Sequence, residues 1–520
     1  MRRDCIVVGG GHNGLVCAAY LARAGRSVLV LESAATVGGA AVTREFSAGF
    51  RVSAGAHLLH LLPQRIVEDL ELRKHGFELA GRSLPTTALG EGAPLQLRTG
   101  LIDGNSSVSA ADAAAYPEFV AQMQRFASAL RPLLETTPPR LGSGVAADRR
   151  ALLRMGWRLR RLGRRDLREL LRIGAMNVYD LLEERFDSPL LKGALAFDAV
   201  LGTNLGPRSP GSVLPLLYRL AAESGAGADG LCQPRGGLGA VSQALAEAAR
   251  AAGAEIRTNA VVRRLRVAGD HVDGVELDSG ETLTAGTVAS NADPKTTLLD
   301  LLGTEFLDAS FVRRVSHLRM RGLAAKLHVA LDDTPRFDGV PAGALEGRLL
   351  IAPSLEYLER AFNCSKYGEV SAQPSLEITI PTVNDPALAP RGGHVLSAIV
   401  QYAPHTPNEG WNKVRQPFID SALAAIATHA PGLRSRIRAI ELLTPRDLEQ
   451  QFRMRGGHWH HGELSFDQFF MVRPVPGATQ YRTPMPGLFL CGAGAHPGGG
   501  VTGLAGRNCA RQILAEARAA

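Results

Sequence analysis

The sequence predicts an α/β fold, and three observations lead to this prediction. Apolar segments at Asp4–Val8 and Ser27–Leu31 flank an amphipathic stretch that ends near Ala24, in the order strand, helix, strand. Glycines at G-x-G-x-x-G spacing join the first strand to the helix. A second strand, glycine turn and helix, LFLCGAGAHPGGGVTG, lies near the C-terminus at 488–503. This combination is typical of a Rossmann-like dinucleotide-binding domain.

The first glycine turn has the features that a dinucleotide pyrophosphate requires. Gly9 permits the tight turn, Gly11 lets the pyrophosphate touch the backbone, and Gly14 lets the helix lie close to the strand. The helix begins beside His12 and Asn13. Its free N–H groups and partial positive charge therefore face the anion, which is bound without a lysine.

The acidic residue that ends the second strand narrows the choice of dinucleotide. Glu32 is placed to accept a hydrogen bond from a ribose hydroxyl, and its charge repels a 2′-phosphate, which argues against NADP. The Gly38-Gly39 doublet offers a second approach of bare backbone to the same dinucleotide. The spacing alone does not separate NAD from FAD.

The C-terminal pattern predicts a second contact with the same ligand. The apolar strand Leu488–Leu490 leads through a glycine turn into a helix that begins near Thr502. If a flavin ring lies there, the helix dipole favours negative charge at its N1–C2=O edge by up to about 2 kcal/mol. The residues of this segment that we expect to contact the cofactor are Gly492, Ala493, Gly500, Val501 and Thr502.

Several motifs together resemble the phytoene-dehydrogenase-related flavoprotein family. They are Gly9–Glu32, Gly38-Gly39, PRGGLGAVSQAL at 234–245, SNADP at 290–294 and CGAGAHPGGGVTG at 491–503. The resemblance extends along nearly the whole chain and is strongest to the subgroup of pyridine-nucleotide-disulphide-oxidoreductase-domain proteins. Phytoene desaturases commonly carry an arginine after the glycine doublet, where this chain has Ala40-Ala41. This difference argues against carotenoid specificity.

The resemblance implies that FAD is the cofactor, held between the N-terminal dinucleotide half and the C-terminal strand and helix. The implied FAD-binding domain is glutathione-reductase/amine-oxidase-like and discontinuous, and it is interleaved with an α+β substrate domain. The FAD-binding domain comprises 1–90, 230–300 and 450–520, and the substrate domain comprises 91–229 and 301–449. In this family the backbone near Val261 contacts the adenine.

The remaining segments have clear patterns of their own. Glu45–Leu62 is predicted to be a short hairpin that enters a helix, residues 90–230 are mostly helical, and Ala254–Ala292 alternates as several short strands. A further G-x-G-x-x-G match at Gly225, Gly227 and Gly230 follows a helical stretch and is interpreted as a loop. No separate NADPH domain is predicted.

Composition limits the classes of function. The 520 residues are 45% hydrophobic and 21% charged, as expected for a globular protein with a large core. The net charge is +8, but aromatic residues make up only 5% and no nucleic-acid-binding motif occurs, so nucleic acid is not an expected partner. The six cysteines form no C-x-x-C pair, which indicates a reducing cytoplasm and no disulfide redox chemistry.

Much of the basic excess lies in the segment Arg149–Gly174. Its leucines and Trp157 form apolar surface at helical spacing, and arginines occupy most of the remainder. Such a basic amphipathic helix lies well on anionic lipid, which suits a peripheral membrane protein with a lipid-soluble substrate. The alternative is a solvated helix face on the substrate domain.

Histidines and acids before the C-terminal strand are candidates for acid-base chemistry. The stretch GGHWHHGELSFDQ, 456–468, resembles a His-Gly and Asp-Gln pattern of the same subgroup. His461 and Glu463 share a face if the stretch is extended, and they are then an acid-base pair near the flavin. The alternative is structural hydrogen bonding. No metal site is predicted, because consecutive histidines on an extended chain alternate faces and no complementary Cys or His pair is near.

Two other segments offer titratable groups. His57 and His60 share a face if GAHLLHLL is helical, and in the resembled family this segment lies near the flavin. For His60, a core histidine with satisfied hydrogen bonds is the favoured interpretation. Lys326 stands alone among apolar residues of a predicted strand. Flavin amine oxidases place a lysine in a comparable strand near flavin N5, which makes Lys326 a candidate catalytic residue. The alternative is a lysine whose ammonium group reaches solvent.

The sequence thus favours an FAD-dependent oxidoreductase that desaturates or isomerises a long, largely apolar substrate. A flavin takes hydride from a C–H bond, and a protein base takes the accompanying proton. A flavin amine oxidase is the second hypothesis, although its usual aromatic pair is not identifiable here. A flavin-binding interaction protein with little turnover is the third.

Overall fold

The computed structural model describes residues 2–98, 100–102, 108–222 and 230–518. Its strands are, in chain order, β1 (Arg3–Val8), β2 (Val28–Leu31), β3 (Thr43–Ser47), β4 (Phe50–Ser53), β5 (Leu79–Leu84), β6 (Thr86–Leu89), β7 (Leu95–Arg98), β8 (Leu101–Ile102), β9 (Leu231–Pro234), β10 (Glu255–Arg257), β11 (Val262–Ala268), β12 (His271–Leu277), β13 (Thr282–Ser290), β14 (Ala324–Leu331), β15 (Arg348–Ile351), β16 (Ser375–Thr379), β17 (His394–Gln401), β18 (Ile437–Leu443) and β19 (Leu488–Leu490).

The α-helices connect these strands and cover both large sheets. They are α1 (His12–Arg23), α2 (Gln64–Asp69), α3 (Ala110–Leu134), α4 (Ala146–Arg160), α5 (Gly163–Gly174), α6 (Val178–Glu183), α7 (Pro189–Val200), α8 (Val213–Ala222), α9 (Leu238–Ala251), α10 (Ala309–Ser316), α11 (Leu355–Lys366), α12 (Pro381–Asn384), α13 (Trp411–Ala427), α14 (Pro445–Phe452) and α15 (Leu504–Glu516).

The first sheet is built from the two ends and the middle of the chain. Its order is β10-β2-β1-β13-β12-β11, and β19 pairs with β13. The pairs among β10, β2, β1, β13 and β19 are parallel. The predicted α/β fold, the β1-α1-β2 unit and the short strands over Ala254–Ala292 are confirmed.

Close packing of two helices brings the chain ends together. A Cβ on Gly14 would overlap the carbonyl oxygen of Gly9, and a Cβ on Gly506 would overlap the carbonyl oxygen of Asn13. Glycine at these two positions therefore allows α1 to lie against both the first turn and α15. The C-terminal helix begins at Leu504, two residues beyond the predicted start.

The second sheet has the order β18-β14-β17-β16-β15-β6-β7-β8. Alternate side chains of β14, namely Ala325, Leu327, Val329 and Leu331, belong to the same buried cluster as Phe418 and Leu423 of α13. Because side chains of a strand alternate between faces, Lys326 and His328 lie on the opposite face. Strand β6 lies within 1–90, a range predicted to belong to the FAD-binding domain. It is nevertheless part of this second sheet, because it pairs in parallel with β15.

Two details differ from the sequence predictions. The hairpin β3-β4 forms, but the helix predicted to follow it within Glu45–Leu62 does not. Leu59 exchanges both backbone hydrogen bonds with Cys232, so this segment is extended beside β9, and α2 begins only after Pro63. The basic segment Arg149–Gly174 forms two helices, α4 and α5, rather than one.

Two sequence predictions concern loops and membrane segments. Gly225 and Gly227 of the further G-x-G-x-x-G match lie outside the described residues, and Gly230 lies in a bend. Within the described ranges, no helix combines the length and the apolar character that crossing a membrane requires. The six cysteines lie within the described residues and form no disulfide, and five of them are buried.

Candidate active site

A single cavity of about 800 Å³ connects the two sheets. One part of its wall is the glycine turn after β1, and another is the face of the second sheet that carries Lys326. Leu58, Leu61, Leu201 and Ile399 supply apolar wall between them. The cavity therefore joins the predicted cofactor segment to side chains of the second sheet.

The glycine turn after β1 presents backbone to this cavity. Gly9 has φ of 95°, a conformation that favours glycine, and Gly11 caps α1 without any side-chain hydrogen bond. The N-terminal N–H groups of α1 are thus free to bind an anion. Asn13 Oδ1 and His12 Nε2 are buried and lack hydrogen-bond partners among the described residues. Burial lowers the pKa of His12 to about 4, so its ring is neutral at pH 7.

Glu32 closes the same end of the cavity and is only 7% exposed. Its carboxylate accepts hydrogen bonds from the backbone N–H groups of Gly10 at 2.7 Å and Ala34 at 2.8 Å. Oε1 accepts a second hydrogen bond, from the Ser33 hydroxyl at 3.2 Å. These bonds fix the carboxylate, and Oε2, which accepts from Gly10, keeps capacity for a further donor. The geometry fits a ribose hydroxyl, as the sequence predicts.

The glycine doublet completes this end. Gly38 and Gly39 have φ of 122° and 58°, and Gly38 forms an isolated parallel bridge with Gly11. Asn291, which the sequence analysis did not single out, covers the turn from the other side. A Cβ on Gly11 would lie 2.7 Å from its Nδ2. Asn291 is the second residue of the SNADP motif, which was the available signal for it.

The C-terminal turn lines the cavity with fewer residues than predicted. Ala493, Gly500 and Val501 lie in the cavity wall, whereas Gly492 and Thr502 do not. Gly492 lies against the backbone of Asn291, and the Thr502 hydroxyl accepts the N–H of Leu504 at 3.1 Å. These two residues shape the turn and its helix.

Val261 was predicted to lie at the adenine. The cavity wall contains Ala260 and Val262 on either side of it. The carbonyl of Val261 accepts a hydrogen bond from the N–H of Asp278 at 2.9 Å. Its contact with adenine stays a prediction.

These residues form a cradle that fits FAD. Free helix N–H groups and glycine backbone suit a pyrophosphate, the fixed Glu32 carboxylate suits a ribose, and the turn at Ala493–Val501 offers backbone beyond them. The unpartnered Asn13 Oδ1 and His12 Nε2 are the polar atoms that such a ligand would satisfy. No cationic side chain is needed to hold the diphosphate.

Lys326, His57 and Glu377 form a buried hydrogen-bonded chain in the cavity wall. Lys326 Nζ lies 2.6 Å from His57 Nδ1, and His57 Nε2 lies 2.9 Å from Glu377 Oε1. The sheet places the two end residues in one row, because Lys326 pairs with Ile399 and Ile399 pairs with Glu377 across β14, β17 and β16. Lys326 is 1% exposed, so its amine does not reach solvent.

The charge states of Lys326, His57 and Glu377 follow from their burial and their hydrogen-bond partners. Burial lowers the pKa of Lys326 to about 7, and Glu377 opposes that shift. Burial also lowers the pKa of His57 to about 4. Although burial favours a neutral acid, the hydrogen bond with His57 and the Arg348 charge hold the pKa of Glu377 well below its usual range. An ionised Glu377 requires an N–H at His57 Nε2, so Nδ1 accepts from Lys326.

An ion-pair network continues from Glu377. Arg348 donates to Glu377 Oε2 at 2.7 Å and to both carboxylate oxygens of Asp198 at 2.6 and 2.7 Å. Its Nε donates to the Thr86 hydroxyl at 2.8 Å. Arg219 Nε lies 3.4 Å from Asp198 Oδ1. Arg348 thereby uses each of its nitrogens within the protein, whereas Arg219 lines the cavity.

The extended arrangement expected for His461 and Glu463 is wrong. His461 has φ of 50° in a turn, so the two side chains do not follow the alternation of a strand. His461 lines the cavity. Glu463 is absent from the lining and pairs with Arg319, whose Nε lies 3.0 Å from Glu463 Oε2. The helical arrangement expected for His57 and His60 is wrong as well, because their segment is extended.

A buried arginine joins this histidine segment to the C-terminal turn. Arg473 is 1% exposed and donates hydrogen bonds to backbone carbonyls on both sides. The acceptors include Glu463 at 3.0 Å, His460 at 2.5 Å and Ala493 at 2.9 Å. Its role is to hold the two segments together, and no spacing pattern marked it in the sequence.

Comparison with known proteins identifies the class. A family described as flavin containing amine oxidoreductase matches residues 14–514. The chain therefore belongs to this family and is an FAD-dependent oxidoreductase.

Several known proteins are similar to this chain along its length. Pyridine nucleotide-disulfide oxidoreductase domain-containing protein 2 of Mus musculus is 37% identical over 548 residues, which cover 98% of this chain and 93% of that protein. The lycopene-forming phytoene desaturase of Pantoea ananas is 26% identical over 525 residues, 96% of either chain. The structure of cyclohexylamine oxidase from Brevibacterium oxydans has a TM-score of 0.57 at 17% identity and covers 100% of both chains. The predicted family resemblance and FAD cofactor are confirmed.

Proposed function

We propose that this FAD-dependent oxidoreductase acts on C–H or C=C bonds of a long, largely apolar substrate, with Lys326 as the proton acceptor. The observation that carries the proposal is the buried Lys326–His57–Glu377 chain in the wall of the cavity that also contains the cofactor cradle. Desaturation is the leading reaction. Isomerisation of a polyene uses the same cavity without net oxidation.

The cavity supplies apolar surface for such a substrate. Leu58, Leu61, Leu201, Pro215 and Ile399 line it. Bound FAD supplies hydride acceptance, which the side chains of the protein cannot provide. The apolar residues bind the substrate and exclude water, which strengthens the electrostatic interactions around Lys326.

Lys326 is suited to take the proton that accompanies hydride loss. With its pKa near 7, a large fraction of its amine is neutral at physiological pH and has a lone pair available. His57 accepts one N–H of the amine and thereby orients it. Because the pKa of His57 is near 4, His57 is a positioning residue rather than a second base.

Amine oxidation is the second candidate, which the family and the fold of cyclohexylamine oxidase favour. A protonated amine would meet Arg219 and Lys326 in the cavity wall. The two carboxylates of the wall near Lys326, Asp198 and Glu377, already pair with Arg348. This charge distribution supports an uncharged or anionic substrate over a cationic one. The relative named phytoene desaturase supports a C–H substrate.

Anaerobic reduction of the bound flavin tests the proposal. Purified holoenzyme is mixed with polyenes, long-chain lipids and alkylamines, and the loss of flavin absorbance is recorded. We expect a lipid or polyene to bleach the flavin while amines do not. Bleaching by amines, with peroxide release in air, contradicts the proposal and favours amine oxidation. A flavin that no substrate class reduces, with a stable protein partner in pull-downs, favours an interaction protein. Mass spectrometry of lipids that co-purify identifies compounds to test first.

We infer that helices α4 and α5 bring the enzyme to an anionic membrane surface, from which an apolar substrate is taken. Leu153, Trp157 and Leu171 are 73%, 60% and 70% exposed on these helices. They stand among arginines of the segment Arg149–Gly174, and the carboxylates there are few. Exposed apolar side chains within a basic face are the chemistry that anionic lipid binds.

Vesicle co-sedimentation tests this surface. We expect the protein to sediment with vesicles that contain phosphatidylserine and to remain in solution with phosphatidylcholine alone. The double variant Leu153→Ser with Trp157→Ser is expected to lose most of this binding, whereas Tyr367→Ser, which changes a 72% exposed residue elsewhere, is expected to keep it. Absence of binding at low salt, or equal binding by the double variant, contradicts the inference.

A further inference from the structure

We propose that the cavity contains an anion subsite, formed by Arg219 and His60, which binds a carboxylate head group on the apolar substrate. This inference rests on the proposed function, because it specifies the substrate of the same cavity. The substrate class is then a long alkyl or alkenyl chain that ends in a carboxylate.

Arg219 carries the cationic part of the subsite. It lies in the cavity wall on α8, and its side chain is 14% exposed. Within the described part of the chain, its one ion-pair partner is Asp198, at 3.4 Å from Nε. Asp198 itself accepts both of its short hydrogen bonds from Arg348. Among the described residues, the terminal nitrogens of Arg219 donate no hydrogen bond and remain for a ligand. A guanidinium binds a carboxylate in a bidentate manner.

His60 supplies an independent observation that points to a ligand. Both ring nitrogens are buried, and neither has a hydrogen-bond partner among the residues that the structure describes. Burial lowers the pKa of His60 well below its usual value, and the positive charge of Arg219 lowers it further. The ring is therefore neutral and retains one N–H donor, which has no acceptor among the described residues. A buried polar group without a partner requires an explanation, and a bound anion provides one.

The neighbouring residues place an apolar chain beside this pair. Pro215 lies four residues before Arg219 on α8, so the two share a helix face, and both line the cavity. Leu61 follows His60 directly and also lines the cavity. The polar donors are thus adjacent to apolar wall, which is the arrangement that an amphiphilic molecule requires.

A cationic head group finds no equivalent site in the described part of the cavity wall near Arg219. The carboxylates in this part of the wall are Asp198 and Glu377, and both already form ion pairs with Arg348. A cationic head group would have to displace Arg348 from Asp198 or Glu377. Removing a buried charge from its partner is strongly unfavourable. The subsite therefore selects an anion over an amine.

Three ligands with the same ten-carbon chain test the proposal: decanoate, decanol and decylamine. Each is titrated into oxidised holoenzyme, and the change in flavin absorbance gives the dissociation constant. We expect decanoate to bind at least about 10-fold more tightly than decanol, because a bidentate pair between a guanidinium and a carboxylate is stronger than a hydrogen bond to a neutral hydroxyl. Arg219→Gln is expected to abolish this preference without loss of bound FAD. Arg360→Gln changes an exposed arginine outside the cavity and is expected to preserve it.

Two further variants keep the test decisive if Arg219→Gln does not fold. Arg219→Lys keeps the charge without the bidentate geometry, and His60→Leu removes the neutral donor. Each is expected to reduce the preference for decanoate in part. Equal affinity of decanoate and decanol for the unmodified enzyme, or tighter binding of decylamine, overturns the anion subsite and leaves the proposed C–H oxidation standing. Failure of all three ligands to bind contradicts the proposed apolar substrate, and the anion subsite with it.

Discussion

The two ends of the cavity accommodate charge by different means. At the cofactor end, the turn after β1 offers glycine backbone and the N-terminus of α1, and the Glu32 carboxylate is held by backbone N–H groups. At the substrate end, charged side chains from separate strands and helices pair with one another beside Lys326. The first end is a property of one short segment, whereas the second exists only when distant segments meet.

The difference has energetic consequences. Backbone N–H groups at a helix N-terminus bind an anion without bringing a buried charge of their own. A network of buried ions is sensitive to the loss of any member, since an unpaired buried charge costs about 3–5 kcal/mol. Substitutions at the cofactor end should therefore act on FAD binding. Those at the substrate end should act on rate, pH dependence and stability.

The largest effect is expected for Lys326→Met. Loss of the proton acceptor should lower the rate of anaerobic flavin reduction by about 10²–10⁴-fold while FAD content stays unchanged. Stopped-flow absorbance with the reducing substrate measures the rate. Lys413→Met, which changes an exposed lysine on α13, serves as the matched control. A variant Lys326→Met that reduces flavin at the normal rate would remove Lys326 from the reaction.

The next effect belongs to the cofactor end. Gly11→Val puts a side chain where a Cβ alone would lie 2.7 Å from Asn291 Nδ2, and it covers the backbone that faces the pyrophosphate. We expect FAD affinity to fall at least about 100-fold, because backbone contact with the pyrophosphate is lost. Equilibrium reconstitution of apoprotein measures the affinity, and circular dichroism checks the fold. Gly156→Ala, at a helical position with open space around it, should leave FAD affinity unaltered.

The pH dependence of flavin reduction should reveal the Lys326 amine. Protonation removes its lone pair, so the rate should rise as pH increases through about 7 in the free enzyme. The negative charge of Glu377 raises the pKa of Lys326. Glu377→Gln should therefore move the rise in rate to lower pH, by about one unit. Glu356→Gln, which changes an exposed carboxylate outside the cavity, should leave the pH of this rise unchanged. An upward shift in Glu377→Gln would contradict the assignment.

The last expected effect is on stability. The pKa of Lys326 falls from 10.5 to about 7 on folding, so the unfolded chain binds more protons between these pH values. This proton linkage destabilises the folded state fully below pH 7, and the penalty disappears as pH rises to 10.5. Lys326→Met should therefore raise the free energy of unfolding by about 3 kcal/mol at pH 7, after loss of the His57 contact is included. Urea unfolding at pH 7 and pH 10 measures this gain, which should shrink at the higher pH. An equal gain at both values would contradict the linkage.

The same contrast explains how much the sequence could predict. The glycine turn after β1, Glu32 and the strands around them follow local spacing rules, and the structure brings them together at one end of the cavity. Lys326 was recognisable as a lone charge in an apolar strand. Arg348 and Glu377 carry the same signal in β15 and β16, but their pairing depends on strand order, which spacing does not determine.

Two errors have a similar origin. The pattern of GAHLLHLL fits a helix, but pairing of Leu59 with Cys232 holds the segment extended. The alternation expected for His461 and Glu463 fails because Arg473 and Arg319 bind a turn there. In both segments, contacts with residues remote in sequence override the local preference.

The crystal structure of the FAD-bound enzyme tests most directly whether one cavity serves both cofactor and reaction. We expect the ribose to contact Glu32, the pyrophosphate to lie on the turn Gly9–Gly14, and the flavin ring to lie beside Lys326, within direct or water-mediated contact. A flavin ring separated from Lys326 by protein, with the hydrogen bonds among Lys326, His57 and Glu377 unchanged, would contradict a catalytic role for these three residues.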